Sequence, residues 1–589
     1  MGVLEDLYKL YTDNPNEAIP RAGWCVKSVD YELVINQQGD IIRCSPLLSD
    51  DGKKTGIKLL VPDVQRTSGI KPFFLVDNAQ YIFALDKKRG IKKHDEFIAF
   101  QNKVLSRCTN KNINAYLNFL KKDIDIYSND KLQCLLEEGQ EKALIAFRIE
   151  GEDCFLQENL DIKEAWSNYW VDSLDGTKSI CCVSGIEAYQ ADLFPLITGL
   201  PGGQSSGASL ISFNSPAFVS YGRDPKENKG FGIGYEAAAG IGQALAYVLK
   251  DKKHRAYIAG DIIGFWVDSE PEEVGSIFSF FGIKQEDKKV EKSESLDKVR
   301  SELKQINQAC LSKNELDDLN YHLLAVSPNS ARISLRFYET GSFGSLKENI
   351  NAFLSNVEMV GVEPRPLFLY LKELVPEGVS FDKEKNYLPA NLVRAALFSI
   401  VKGKPLPRSL YLKTLDRMRA DCGIDTRYHF GLRAALMREH LNYIKKRTSG
   451  NDYEKEKINV ALNIENANTG YLLGRLFALL EKAQHEASGV TNASIKDRYM
   501  TAAAATPSKV FSNMLGLYSH HISKIEKNSK GNAVYIDKQV GEIIDMLDSE
   551  QGFPKHLTLE DQGMFYIGYY QQFQDFYRKK ETLEDNVTE

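Results

Sequence analysis

The chain lacks most of the features that assign a sequence quickly. Its nine cysteines are scattered, with Cys181 and Cys182 adjacent and no C-x-x-C pair anywhere. A zinc site and a disulfide framework are therefore not expected, and buried reduced thiols are. No apolar run approaches the ~18 residues of a spanning helix. The start, Met1-Gly2-Val3-Leu4-Glu5-Asp6, has no basic stretch of a secretory signal. Asp6 stands where a myristoylation signal needs Ser or Thr. These absences predict a cytoplasmic chain with no membrane attachment. The nine histidines show no metal-site spacing. His485-Glu486 lacks the second His of a zincin helix, and His94-Asp95 lacks the further ligands a metal-dependent nuclease or phosphohydrolase requires. Gly52-Lys53-Lys54-Thr55 fails the P-loop pattern, because Leu47 occupies the place of its first glycine. Gly230, Gly232 and Gly234 have the wrong spacing for a dinucleotide fingerprint. No enzyme activity, cofactor or metal is expected.

What is present is length, core material and an uneven charge. At 589 residues with 43% hydrophobic side chains, the chain can fill several cores. The net charge is −6, yet residues 394–447 hold 13 lysines and arginines against four acids, a local balance of +9. The last residues, from Glu581, are acidic. A basic patch on an acidic protein suits a subunit that meets nucleic acid on one face and protein on others.

Local patterning predicts an α+β chain that turns helical. Leu4, Leu7, Tyr8 and Tyr11 recur at helical spacing. Residues 31–43 read as a hairpin around Gly39. Further strands are expected at 143–149, 208–213, 256–268 and 322–326. Residues 332–338 alternate Ile333, Leu335 and Phe337 against Arg332, Ser334 and Arg336, with a helix at 235–249 between strands. Residues 284–304 and 376–389 read as connections. Apolar stripes follow, at Leu392, Val393, Ala396, Leu397 and Ile400, then at Leu472, Leu473, Leu476, Phe477 and Leu480. Thr506-Pro507 reads as an N-cap with Pro at the first helical position. The expected division is a mixed α/β region over 1–380 and a helical bundle over 381–589.

The segment most suited to chemistry is residues 199–230. Its glycines permit close backbone approach. Gln204, Ser205, Ser206 and Asn214 supply donors and acceptors, Phe213 and Tyr221 supply stacking faces, and Arg223, Lys226 and Lys229 supply charge. That is the equipment for holding a nucleic-acid backbone while reading base edges. A glycine-rich loop over a core strand has the same composition.

Gly203-Gln-Ser-Ser-Gly-Ala-Ser-Leu-Ile-Ser-Phe-Asn214, followed by Ala217-Phe-Val-Ser-Tyr-Gly222, resembles the signature of the large subunit of the subtype I-C CRISPR interference complex, Cascade. Residues 66–81, Ser327-Pro-Asn-Ser-Ala-Arg332 and residues 472–481 agree with it in order. One departure is Phe194-Pro195, where the family pattern leads one to expect a histidine.

The resemblance implies a non-catalytic subunit of an RNA-guided ribonucleoprotein. Its partners would be the CRISPR RNA, the backbone and small subunits, and a helicase-nuclease recruited to cut. It would read a protospacer-adjacent motif in double-stranded DNA, open the duplex into an R-loop and hold the displaced single strand, while base pairing by the guide reads the sequence. The helical C-terminal region would resemble a Cascade small subunit and would also be made separately, from an internal start at Met418, Met437 or near Val460.

The residue reading and the resemblance converge on sites. Asn78, Gln204, Ser205, Ser206 and Asn214 are the expected motif readers, since Asn and Gln pair bidentately with adenine. Lys53, Lys54, Arg66, Lys71, Arg223, Lys226 and Lys229 are expected to press on phosphates or wedge the duplex. Arg408, Arg417, Arg419, Arg427, Arg433 and Arg438 are expected to hold the displaced strand. A scaffold touching only protein, and a nuclease using His94 and Asp95, are the competing readings.

Overall fold

The computed structural model describes residues 2–13, 18–48, 56–64, 66, 69–85, 89–106, 108, 110–137, 140–212, 232–258, 260–269, 315–363, 365–376, 379, 386–421, 427–489, 494–547 and 552–577. The expected connection at 284–304 lies outside them, as does most of 376–389. The chain forms two compact units: Met1–Lys250 with Pro328–Ser334, and Asp251–Ser327 with Leu335–Glu589.

In the first unit, helix α1 (Val3–Asp13) precedes strands β1 (Trp24–Val29), β2 (Tyr31–Ile35), β3 (Ile41–Pro46) and β4 (Ile57–Pro62). β5 (Asp77–Asn78) then runs into a single helical turn, Ala79–Ile82. α2 (Gly90–Leu105), α3 (Lys111–Leu120), β6 (Leu144–Ile149) and α4 (Leu160–Asp172) follow. β2 and β3 are the expected hairpin, and Gly39 takes the positive φ its turn requires. The sheet order is β3-β2-β6-β5, with β2 and β6 parallel. Leu33, Ile35, Ile145 and Phe147 from this sheet pack with Phe97, Tyr116 and Trp166 in one core. β1 and β4 form a separate antiparallel ladder.

Later in this unit come the short strands β7 (Lys178–Ile180), β8 (Glu187–Tyr189), β9 (Leu196–Ile197) and β10 (Ala208–Ser209). Helix α5 (Tyr235–Lys250) closes it, and a Cβ at Gly240 would lie 2.4 Å from the Tyr11 ring, so only glycine permits the approach to α1.

In the second unit, β11 (Arg255–Ile258), β12 (Asp261–Val267), β13 (Asn320–Asn329) and β14 (Arg332–Ser342) follow one another in the sheet, β13 and β14 running on into the first unit's share at 328–334. The alternation expected along β14 fails at one place: Ile333 is buried, but Leu335 is 43% exposed. Helices α6 (Phe343–Val357), α7 (Leu367–Lys372), α8 (Ala390–Val401), α9 (Arg408–Ala420) and α10 (Arg427–Ser449) come next. α11 (Thr469–Ser488), α12 (Ile495–Ala505), α13 (Phe511–Asn528), α14 (Lys530–Met546) and α15 (Leu559–Asp575) complete it. The chain is thus mixed α+β with a helical C-terminal part. Both expected stripes, on α8 and α11, are buried.

Strand gives way to helix at Ser342–Phe343, and neither there nor near residue 380 does the core change. Phe265 and Leu323 of the sheet, Phe353 of α6, Leu397 of α8 and Phe477 of α11 belong to one continuous apolar cluster. Thr506 does not cap the following helix. Its hydroxyl donates back to the Ala502 carbonyl (3.2 Å), and Pro507–Lys509 form a 3-10 turn before α13 begins.

α11 and α15 pack backbone against backbone. A Cβ at Gly470 would lie 2.2 Å from the Asp561 carbonyl oxygen, and one at Gly474 2.0 Å from that of Phe565. Polar clamps cross the same contact, Tyr471 Oη donating to Gln571 Oε1 (2.6 Å) and Arg475 Nε to Gln572 Oε1 (3.0 Å).

Candidate nucleic-acid interface

Among the described residues, Arg66 is the more constrained of the expected phosphate contacts, Lys71 being the other. Its guanidinium lies 3.7 Å from the Phe73 ring centroid and 4.0 Å from that of Tyr81, between two aromatic faces. Nη2 bonds Asp77 Oδ2 at 2.7 Å and Nε donates to the Lys71 carbonyl at 2.6 Å, leaving the side chain 22% exposed. Asp77 is fully buried and also accepts from the backbone N–H groups of Phe73 and Asn78. Burial pushes its carboxyl up, against the lowering pull of Arg66.

Further cations surround these rings. Lys27 Nζ lies 3.8 Å from the Phe73 centroid, and Lys93 lies 5.4 Å from Tyr81 and donates to Gln80. Lys71 is exposed. Sequence reasoning found Arg66 and Lys71 here but missed Lys27, Phe73, Tyr81 and Lys93. Phe73 and Tyr81 lie inside the 66–81 segment and alone carried a signal. His94 gives its Nδ1 to the Tyr81 carbonyl (3.1 Å). Among the described residues no cluster of His, Cys, Asp or Glu is arranged to hold a metal ion.

Asn78 stands at the cap position of the Ala79–Ile82 turn without capping it. It is 9% exposed, and its Oδ1 has no hydrogen-bond partner among the described residues.

Lys53 and Lys54 lie outside the described residues, but the neck of their loop does not. Gly56 N donates to the Leu47 carbonyl at 2.6 Å. Gly56 has φ +105°, and a Cβ there would meet the Ser28 hydroxyl at 2.4 Å.

The Gln204 turn is held by a second signature segment. Ser330 N donates to the Gly202 carbonyl and Gln204 N to the Ser330 carbonyl, each at 3.0 Å. Ser209 N bonds the Ala331 carbonyl (2.9 Å), and β10 pairs in parallel with Arg332. Gly207 N closes the turn on the Gln204 carbonyl (3.0 Å). Gly202 and Gly207 have positive φ, as does Ser330 at +53°. The outcome is a backbone fixed at both ends with Gln204, Ser205 and Ser206 exposed between. Asn214, Arg223, Lys226 and Lys229 lie outside the described residues.

The C-terminal arginines divide by what they touch. Arg408 is 63% exposed, with a loose pair to Glu560 at 3.3 Å. Arg419 donates to Gln562 Oε1 (2.6 Å) and pairs with Asp416 (3.2 Å). Arg417 pairs with Asp421, and Arg433 is buried between Asp421 (3.0 Å) and the Glu373 carbonyl (3.1 Å). Arg438 is 1% exposed and donates to four backbone carbonyls, those of Ser355, Asn356, Ile458 and Asn459. The Arg427 side chain lies outside the described residues. Lys446 and Arg447, in the last turn of α10, are exposed and were not singled out from the sequence.

The sequence model of a family described as CRISPR-associated protein (Cas_Csd1) matches residues 4–577. No curated protein sequence matches the chain.

Proposed function

The chain belongs to the Csd1 family of CRISPR-associated proteins, the large subunit of subtype I-C Cascade, and we propose that within that complex it reads the protospacer-adjacent motif as duplex DNA. The observation that carries this reading is the Gln204-Ser205-Ser206 turn, exposed and fixed at one end through Ser330 and at the other through Ala331. A rigid backbone presenting an amide and two hydroxyls suits base-edge recognition.

Arg66 and Lys71, with Lys53 and Lys54, act on phosphate and help to open the duplex. Asn78, buried and next in sequence to Asp77, is the second candidate reader after Gln204. Arg408, Arg427, Lys446 and Arg447 are the cations we assign to the displaced strand. Arg417, Arg419 and Arg433 serve it only by giving up present partners, and Arg438 serves the fold. The subunit carries no catalytic step of its own and helps to recruit the helicase-nuclease.

Binding by the reconstituted complex tests this. Motif-bearing and motif-scrambled duplexes are compared across a salt series. Gln204→Ala is expected to lower motif preference by about 1–3 kcal/mol. Lys53→Ala/Lys54→Ala is expected to weaken both duplexes and reduce the salt slope by up to ~2. Unchanged binding by both variants in an intact complex defeats the reading. It would favour a scaffold that touches only protein, for which the internally paired Arg417, Arg433 and Arg438 already speak.

A further inference from the structure

The first unit holds a cavity of about 490 Å³ that the DNA-reading proposal does not use. That volume is in the range of sites that enclose a small ligand or a large side chain. Five of its lining residues are aromatic: Phe100, Trp166, Tyr169, Trp170 and Tyr235. The rings hold one another in place. Trp166 and Tyr169 stack with centroids 5.7 Å apart, and Phe100 meets Tyr169 edge-on at 5.6 Å. Trp166 Nε1 donates to the Gly23 carbonyl at 2.7 Å, and a Cβ at Gly23 would come within 3.0 Å of the Trp170 ring.

Two carboxylates, Asp63 and Asp192, line the same space, and no lysine or arginine is among its described lining residues. Their field is felt by the neighbours. Burial pushes the Tyr235 hydroxyl up and nearby Asp192 adds to it; burial likewise pushes the Cys25 thiol up to about 12, with Asp63 adding. Lys103 already sits 5.4 Å from the Tyr169 centroid without lining the cavity, so these rings accept a cation on one side.

Aromatic faces combined with carboxylates and no cation form a site for a positively charged planar group. They repel a phosphate backbone. We propose that this cavity receives the guanidinium of an arginine side chain from a partner protein, as a docking point separate from the DNA-reading surface. The guanidinium stacks on Trp170 and Tyr169 while its N–H groups donate to Asp63 and Asp192. A flipped nucleobase is the competing occupant, since it too would stack.

The full chain is titrated at 0.15 M salt with a tri-arginine peptide and read by tryptophan fluorescence, because Trp166 and Trp170 line the cavity. A saturable change is expected. Asp63→Asn and Asp192→Asn should each weaken it about 3- to 30-fold, with both reporter rings retained. Ala239→Leu, which adds bulk to the cavity from α5 and keeps both carboxylates in the chain, should abolish it. A tri-citrulline peptide, neutral and nearly isosteric, should give no saturable response. No response to tri-arginine, an equal response to tri-citrulline, an unaffected Ala239→Leu variant, or saturable binding of deoxycytidine monophosphate in its place would each overturn the assignment.

Discussion

Arg438 and Arg408 differ at the residue scale although the sequence offers them alike. Arg438 is surrounded by carbonyls, two of them at the C-terminal end of α6, where a cation also offsets the helix dipole. Burial lowers its pKa, but its charge is matched by four acceptors. Arg438→Met should lower unfolding stability by about 3 kcal/mol, because the carbonyls lose their donor. Arg408→Ala should change it by no more than ~0.5 kcal/mol. Urea unfolding of both variants checks the contrast, and equal effects would refute it. Next along α10, Glu439 is fully buried with Oε2 unpartnered, and burial pushes its carboxyl up to about 8. The folded chain therefore keeps a proton that the unfolded chain releases above its ordinary value near 4.5. Stability falls with rising pH between those values, by up to about 1.4 kcal/mol per pH unit. His440, lowered by burial, acts with the opposite sign, and only below about 6.5. Glu439→Gln should therefore flatten the decline in unfolding free energy between pH 7 and pH 8. A decline as steep in the variant as in the native chain would contradict this.

Two glycines with opposite roles make the case at the scale of elements. Gly474 in α11 faces the α15 backbone at a distance no Cβ tolerates, whereas a Cβ at Gly516 in α13 would meet nothing within 4 Å. Gly516→Ala should raise stability by about 0.5–1 kcal/mol through helix propensity. Gly474→Ala gains the same propensity but forces α11 and α15 apart, and should lower stability by about 1–3 kcal/mol. Thermal midpoints moving in opposite directions are the expected result; a rise in both would mean that the helix contact yields easily. The apolar stripe of α11 was legible because 3.6-residue periodicity writes core-facing positions into sequence. The α11–α15 contact was not, since a glycine in a helix reads as a weak position until the partner backbone is seen. Thr506 fails as a cap for a similar reason. Its hydroxyl bonds instead to the Ala502 carbonyl in the preceding helix, a local competitor to capping that the sequence does not rank.

The whole molecule is organised by its cores more than by its change of composition. Because the sheet, α6 and α8 share one apolar cluster with α11, the helices after residue 390 are not closed on themselves. A fragment beginning at residue 390 should expose the faces that Phe353 and Tyr370 cover, bind an apolar dye and lose near-ultraviolet signal relative to the same helices in the full chain. Cooperative unfolding of that fragment without dye binding would show that the shared core is dispensable. The sequence by itself determined the mixed α+β character with a helical C-terminal part, the β2–β3 hairpin, the strands at β6 and β14 and the buried stripes of α8 and α11, because periodicity and turn residues act locally. Its signature segments also carried the family. Only the tertiary structure decided which charges remain available. The +9 stretch contains Arg417, Arg433 and Arg438, each engaged by groups far apart in the chain or on the next helical turn. Only the fold joined the Gln204 turn to Ser330, and Arg66 to Phe73 and Tyr81. A composition counts charges and rings, but pairing depends on contacts between distant residues, and those exist only once the chain has folded.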